Sequence, residues 1–272
     1  MYARSGIVPV RSEARDASEM QTQLLLGETV TVNEIKERWV HITADLDGYS
    51  GWVNRNQMRA LSQVEYEQWT GQPERRNSPF ASFRIHNESE SLWVPVGSRV
   101  IIEDNHVQIP GVTFNFSDKP RLLRHDSIIE TAHEFLGTPY LWGGRTDAGI
   151  DCSGFIQTVY GIHGSALPRD SGVQFKTVES YTNDIQEAKP GDIVYFNTGG
   201  GSITHVGFFI GDGVILHASG NVKRNRLTKE ESEKNTRFPY NQRLAEHIAG
   251  IQSGQLLFEF GQKNQKNFVL KQ

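Results

Sequence analysis

His205-Val206-Gly207-Phe208-Phe209-Ile210-Gly211-Asp212-Gly213-Val214-Ile215-Leu216-His217-Ala218-Ser219 reads as two strands joined at a glycine-rich turn. Branched and aromatic residues on either side favour extended backbone, and Gly211-Asp212-Gly213 supplies the positive φ angles that a tight hairpin needs. Side chains alternate along a strand, so the spacing of polar residues matters. His205 and His217 lie 12 positions apart and, in a bulge-free register about this turn, point to one face. Two imidazoles on one face suit a general base and the group that fixes its tautomer. The plainer reading of each is a half-buried strand histidine with a backbone partner.

A base of this kind needs an acidic proton to take. Cys152 is the only cysteine, so it forms no internal disulfide and builds no multi-thiolate metal site. It sits in Asp151-Cys152-Ser153-Gly154-Phe155, followed by Ile156, Val159 and Tyr160. That pattern predicts a helix beginning at Cys152 or Ser153 and running to Gly161. A thiol at a helix N-terminus is partly acidified by the dipole, and the unpaired N–H groups there can receive an oxyanion. Upstream, Asp126-Ser127-Ile128-Ile129-Glu130 opens a second helix, with Ile128, Ile129, Ala132, Phe135 and Leu136 on one face and Gly137-Thr138-Pro139 at its end. Strands predicted at 192–197, 205–210 and 214–218 complete an α+β pattern. Two other readings of the thiol stand beside the nucleophile: an inert buried group, and a zinc ligand with His205 and His217. Structural zinc sites use local ligand spacings that this chain lacks.

The first 120 residues are different in texture. Leu24–Val32, Trp39-Val40-His41-Ile42 and Asp47–Val53 read as short strands broken by tight turns, about five between Tyr2 and Leu61. Residues 62–79 hold a possible helical turn at Val64–Trp69 and then Gly71-Gln72-Pro73-Glu74-Arg75-Arg76-Asn77-Ser78-Pro79, a linker composition. A second strand-rich segment follows at 91–97, 99–103 and 112–116.

The bulk numbers exclude several classes. With 28 Lys and Arg against 32 Asp and Glu, the net charge is −4; no basic excess points to nucleic acid, and Lys223-Arg224-Asn225-Arg226 reads as a solvated charge run. No stretch approaches the ~20 apolar residues of a membrane helix. Met1-Tyr2-Ala3-Arg4 runs into strand-like sequence without the roughly 7–15-residue apolar region of a secretion signal. The expected location is the cytoplasm, or the wall side if this is a trimmed mature form.

Taken in order, Pro139-Tyr140-Leu141-Trp142-Gly143-Gly144, Asp151–Phe155, Gly191-Asp192-Ile193-Val194-Tyr195-Phe196, His205-Val206-Gly207 and His217-Ala218-Ser219 resemble the NlpC-type papain-like cysteine peptidases, over about residues 124–255. The upstream strands resemble the bacterial SH3-like domains that often precede this peptidase. The architecture implied is two small all-β SH3-like barrels (1–61 and 80–123, linker 62–79) and an α+β papain-like catalytic domain (124–272). The resemblance implies hydrolysis of the γ-D-glutamyl bond to a diamino acid in peptidoglycan stem peptides, without metal or cofactor. Cys152 would be the nucleophile, His205 the base and His217 the third polar residue.

One subgroup with two SH3-like domains trims muropeptides that have a free N-terminal L-Ala. This chain is similar to it at Asp16-Ala17-Ser18-Glu19-Met20, Gln23–Glu28 and Gly48–Val53. Carried over, Asp151 and Glu19 would pair with the substrate ammonium, and Tyr49, Tyr140, Ser153 and Ser171 would complete the pocket. The plainer roles are a helix cap for Asp151, barrel core for Tyr49 and a surface charge for Glu19. The expected partner is a peptidoglycan-derived peptide, with no nucleic acid or membrane. A secreted hydrolase of intact wall and a non-catalytic wall binder are the alternatives.

Overall fold

The computed structural model describes residues 1–116 and 118–270, with side chains through Lys263. The chain divides into two compact units, one of Met1–Arg124 with Trp142–Asp147, the other of His125–Leu141 with Ala148–Asn264. Each is built around its own sheets.

In the first unit the alternating sequence becomes β1 (Ile7–Arg11), β2 (Met20–Leu25), β3 (Val30–Lys36), β4 (Trp39–Ala44) and β5 (Ser50–Asn54). They pair antiparallel in the order β2–β1–β5–β4–β3. Their inward residues, Val8, Val10, Leu24, Val40, Ile42 and Val53, form one apolar cluster. The stretch 62–79 is more than a linker. It carries α1 (Gln63–Thr70), started by a reciprocal Ser62–Glu65 capping box. Trp69 on this helix is buried and its Nε1 donates to the Gly27 carbonyl at 3.2 Å.

Strands β6 (Phe83–His86), β7 (Ser91–Val94), β8 (Arg99–Glu103), β9 (His106–Ile109) and β10 (Val112–Asn115) make a second antiparallel sheet, ordered β7–β6–β10–β9–β8, with Arg76–Asn77 on its last edge. Tyr2 and Leu26 pack into its core with Ile85, Val94, Val107 and Phe114. The Arg99 N–H also donates to the Leu26 carbonyl at 2.8 Å. Two separate closed barrels are therefore not what forms. The strand orders are open, and residues of the first segment complete the core of the second.

The second unit is α+β. Helix α2 (Ile128–His133) begins at Ser127, whose hydroxyl accepts from the Glu130 N–H, and α3 (Cys152–Ile162) begins at Asp151. Strands β11 (Ile193–Phe196), β12 (His205–Gly211), β13 (Val214–Ser219), β14 (Asn221–Arg226) and β15 (Ile248–Gln252) form an antiparallel sheet ordered β14–β13–β12–β11–β15, followed by α4 (Gly254–Leu270). Helix α3 is buried from Cys152 through Tyr160. Phe155 meets Phe208 edge-on at 5.2 Å and Tyr160 stacks on the same ring at 6.1 Å, which fixes the helix against β12.

One ionic contact in the first unit is fully withdrawn from water. Arg145 donates from Nη1 and Nη2 to the Glu28 carboxylate at 3.0 and 2.9 Å, and from Nη1 to the Gln23 carbonyl at 2.7 Å. The Leu25 N–H donates to the same carboxylate at 3.0 Å. Removing one member of a buried pair strands the other charge, so Glu28→Ala is expected to cost about 3–5 kcal/mol. Denaturant unfolding of the variant against wild type measures this, and a loss below about 1 kcal/mol would contradict the account.

Candidate active site

The hairpin at β12–β13 reaches the expected arrangement by an unexpected route. Asp212 and Gly213 both have positive φ, 50° and 69°, as a two-residue mirror-image turn requires. Gly211 pairs with Val214, and that register, carried straight on, would place His205 and His217 on opposite faces. It is not carried on. Phe209 pairs with Ile215 and Phe208 with Leu216, leaving Ile210 as an extra, bulged residue. The bulge-free register of the sequence reading is thus corrected, and the bulge itself restores the shared face. Gly207 then lies against His217, where a Cβ would come within 2.9 Å of the His217 Cβ. A side chain there has no room.

His205 Nε2 and His217 Nδ1 are 2.7 Å apart, with the rings at 85° and their centroids at 4.9 Å. His217 is fully buried, and its Nε2 lies 2.8 Å from Asn225 Oδ1 on β14. Burial lowers the His205 pKa to about 3, assisted by His217 and Lys223. Burial lowers that of His217 to about 4, with Lys223 adding to the drop and the Asn225 hydrogen bond opposing it. Both rings are neutral over the physiological range.

Cys152 is 8 % exposed and stands at the first turn of α3. Its sulfur accepts from the backbone N–H groups of Val206 and Ser153, which places it beside His205 in the chain of β12. An acidified thiol was expected from the helix terminus. Burial instead pushes it up to about 12, the Asp151 carboxylate adds to that, and Arg169 with the two N–H donors only partly offsets them. Desolvation outweighs a dipole worth typically 0.3–1 kcal/mol at roughly exposed sites. Burial thus favours the neutral form of the thiol and of both imidazoles.

Asp151 caps α3 through the Gly154 N–H at 2.7 Å and is also held by Arg169, Nη1 to Oδ1 at 3.0 Å and Nη2 to Oδ2 at 2.5 Å. Arg169 Nη1 donates to Ser153 Oγ at 2.9 Å as well. Gln174 Nε2 donates to the Ser153 carbonyl at 3.1 Å, tying the short helix that Ser171 opens to the same turn. Tyr140 is half-buried. Its phenol is raised to about 12 by burial, then by Cys152 and Asp151, so it is a neutral hydroxyl close to both. Cys152, His205, His217, Asp151, Ser153, Tyr140 and Ser171 all belong to the second unit. Glu19 and Tyr49 belong to the first. There Glu19 is exposed and accepts from Trp142 Nε1 at 2.8 Å, while Tyr49 is half-buried and donates its N–H to Asp47 Oδ1 at 3.0 Å. Among the described residues no group of three His, Cys, Asp or Glu side chains is placed to hold a metal ion.

Arg169 and Asn225 went unread in the sequence. Arg169 is 18 positions from its partner in an irregular segment, and nothing local marks it. Asn225 had a signal. Period-two alternation continued across the turn at Gly220 puts His217, Lys223 and Asn225 on one face, since His217 pairs with Lys223. The run Lys223–Arg226 is a strand with two of its residues turned to the histidines.

Comparison with known proteins identifies the family. The model of the NlpC/P60 family matches residues 137–241, and that of the bacterial dipeptidyl-peptidase Sh3 domain matches residues 10–58. The γ-D-glutamyl-L-lysine dipeptidyl-peptidase of Bacillus cereus is 31 % identical over 231 residues, 75 % of this chain and 68 % of its own length. The enzyme of the same name from Bacillus subtilis is 31 % identical over 219 residues, 73 % and 72 % of the two chains. A solved NlpC/P60 family protein from Bacillus cereus shares the fold, with a TM-score of 0.73 at 24 % identity, covering 92 % of this chain and 98 % of that one. The thiol at the start of α3 and the histidine pair on the hairpin thus belong to a chain with an SH3-like β-rich N-terminal region and a catalytic domain, a cysteine peptidase of the NlpC/P60 family.

Proposed function

We propose that Cys152 is the nucleophile, His205 its base and His217 the residue that orients His205. The substrate proposed is a peptidoglycan stem peptide with a free N-terminal L-Ala, cut between γ-D-Glu and the diamino acid to release L-Ala-γ-D-Glu. The observation that carries the reading is the bonded His205–His217 pair, with His205 next in the chain to Val206, whose N–H touches the only thiol. Two relatives named for a γ-D-glutamyl-L-lysine peptidase activity support the substrate class. The free-amine requirement is supported by the likeness of residues 10–58 to a dipeptidyl-peptidase Sh3 domain. It suits recycling of released wall peptides in the cytoplasm.

The chemistry follows from a neutral resting pair. As Cys152 Sγ adds to the γ-glutamyl carbonyl carbon, its proton passes to His205 on the ring nitrogen that His217 does not engage, Nδ1. The oxyanion forms at the start of α3, at the Cys152 N–H, since the Gly154 N–H caps onto Asp151 and the Ser153 N–H faces the sulfur. On collapse, the C–N bond breaks and His205 returns the proton to the leaving amine, giving a thioester of Cys152. Water, deprotonated by His205, then releases the dipeptide acid and restores the thiol.

Three outcomes test this. Mass spectrometry of L-Ala-γ-D-Glu-L-Lys and its diaminopimelate counterpart should show L-Ala-γ-D-Glu with wild type and none with Cys152→Ala; N-acetylated peptides should stay intact. Dipeptide release by Cys152→Ala removes the nucleophile assignment. The base works only unprotonated, and its pKa is lowered, so kcat/KM should hold as the pH falls through 6.5, with its acid limb displaced well below that value. An acid limb centred at 6.5 argues for an exposed imidazole instead. Gly207→Ala, whose Cβ meets His217, should lower kcat by about tenfold or more with little change in KM.

A further inference from the structure

We infer that Asn225 is a fourth, positioning member of the site, whose side-chain amide fixes the tautomer of both histidines and so leaves His205 Nδ1 as the nitrogen open to the thiol proton. The inference rests on the reading of Cys152 and His205 as nucleophile and base. Asn225 Nδ2 donates to the Pro239 carbonyl at 3.0 Å. A carbonyl only accepts, so the amide nitrogen must face it, and the reverse orientation would set two acceptors against each other. Oδ1 therefore faces His217 Nε2, at 2.8 Å.

An amide oxygen only accepts too, so His217 carries its proton on Nε2. A neutral imidazole has one N–H, and His217 is fully buried, with Lys223 facing the pair from β14 and disfavouring a second proton. Nδ1 is then an acceptor. His205 Nε2, 2.7 Å away, must be the donor. The only lone pair left on the His205 ring is on Nδ1. Donation runs in one direction, from His205 through His217 and Asn225 to the Pro239 carbonyl, and no link in it can be reversed alone.

The geometry is set by the sheet. His217 pairs with Lys223, so Asn225 sits one diagonal step along β14 on the same face. His205 sits one diagonal step from His217 on the other side, because of the Ile210 bulge. Asn225 is 5 % exposed, and its side chain bonds His217 and the Pro239 carbonyl, so it acts through His217.

Imidazole 15N NMR of the whole protein reads the tautomers directly. Wild type should show protonated Nε2 and bare Nδ1 at both His205 and His217. Asn225→Leu should lose the single His217 tautomer and lower kcat by about tenfold or more, with KM changed less than about twofold. Asn225→Asp keeps an acceptor toward His217 but sets its second oxygen against the Pro239 carbonyl, so His217 should keep its proton on Nε2 while kcat falls. A wild-type His217 protonated on Nδ1 overturns the inference even if every variant misfolds, and so does an Asn225→Leu protein with unaltered tautomers and kcat. Cys152→Ala should keep the wild-type tautomers; peptide cleavage by it would sink the nucleophile assignment alone and leave the histidine order standing.

Discussion

One bulged residue decides which side of a sheet carries chemistry. A two-residue turn at Asp212-Gly213 is the tight closure that Asp-Gly favours, and its natural register sends His205 and His217 to opposite faces. The extra residue at Ile210 slips the ladder by one and brings them together. Everything downstream depends on that slip: the 2.7 Å contact of the rings, the empty space at Gly207 that admits His217, and the diagonal run onto Asn225. Bulges beside active sites re-aim side chains in just this sense.

The second constraint is desolvation. The same burial that orders the histidines strips them and the thiol of water, so each group favours its neutral form. A helix terminus is too weak to preform a thiolate against that. Neutrality has a use here. Neutral imidazoles have one donor and one acceptor each, and only then can a chain of hydrogen bonds have a fixed direction. An imidazolium at His217 would erase it, because both nitrogens would donate.

Much of this was legible in the sequence, and the failures share a cause. The start of α3 at Cys152 and the strands around both histidines followed from local pattern, since capping, helical spacing and alternation are local properties. The bulge was invisible because a one-residue slip leaves composition and alternation almost untouched. Arg169 was invisible because its meeting with Asp151 is tertiary. The segment 62–79 looked like a linker by composition, yet it holds a helix whose Trp69 is buried and bonded to the Gly27 carbonyl. Asn225 was hidden by its neighbours, three cations that made a strand resemble a solvated run.

Asp151 shows how the structure narrows a role that resemblance assigns. A carboxylate has about four lone-pair positions. Here they receive the Gly154 N–H, two N–H groups of Arg169 and the Ser153 hydroxyl. Its negative charge is also matched by a guanidinium buried to 1 % side-chain exposure. An ammonium group arriving at Asp151 Oδ1 therefore meets an oxygen that already takes three donors, beside a fixed cation, and it must displace one of them to bind there. The Gly154 N–H is held by the backbone of α3, and Arg169 is locked in a fork. The Ser153 hydroxyl, at 3.3 Å the longest of the four contacts, rotates freely and also touches Arg169. Under the proposed reading, Ser153 is the member that turns aside, giving Asp151 Oδ1 to the amine and keeping its own oxygen on Arg169. The two residues flanking Cys152 then act as one amine receptor, not as two independent contacts.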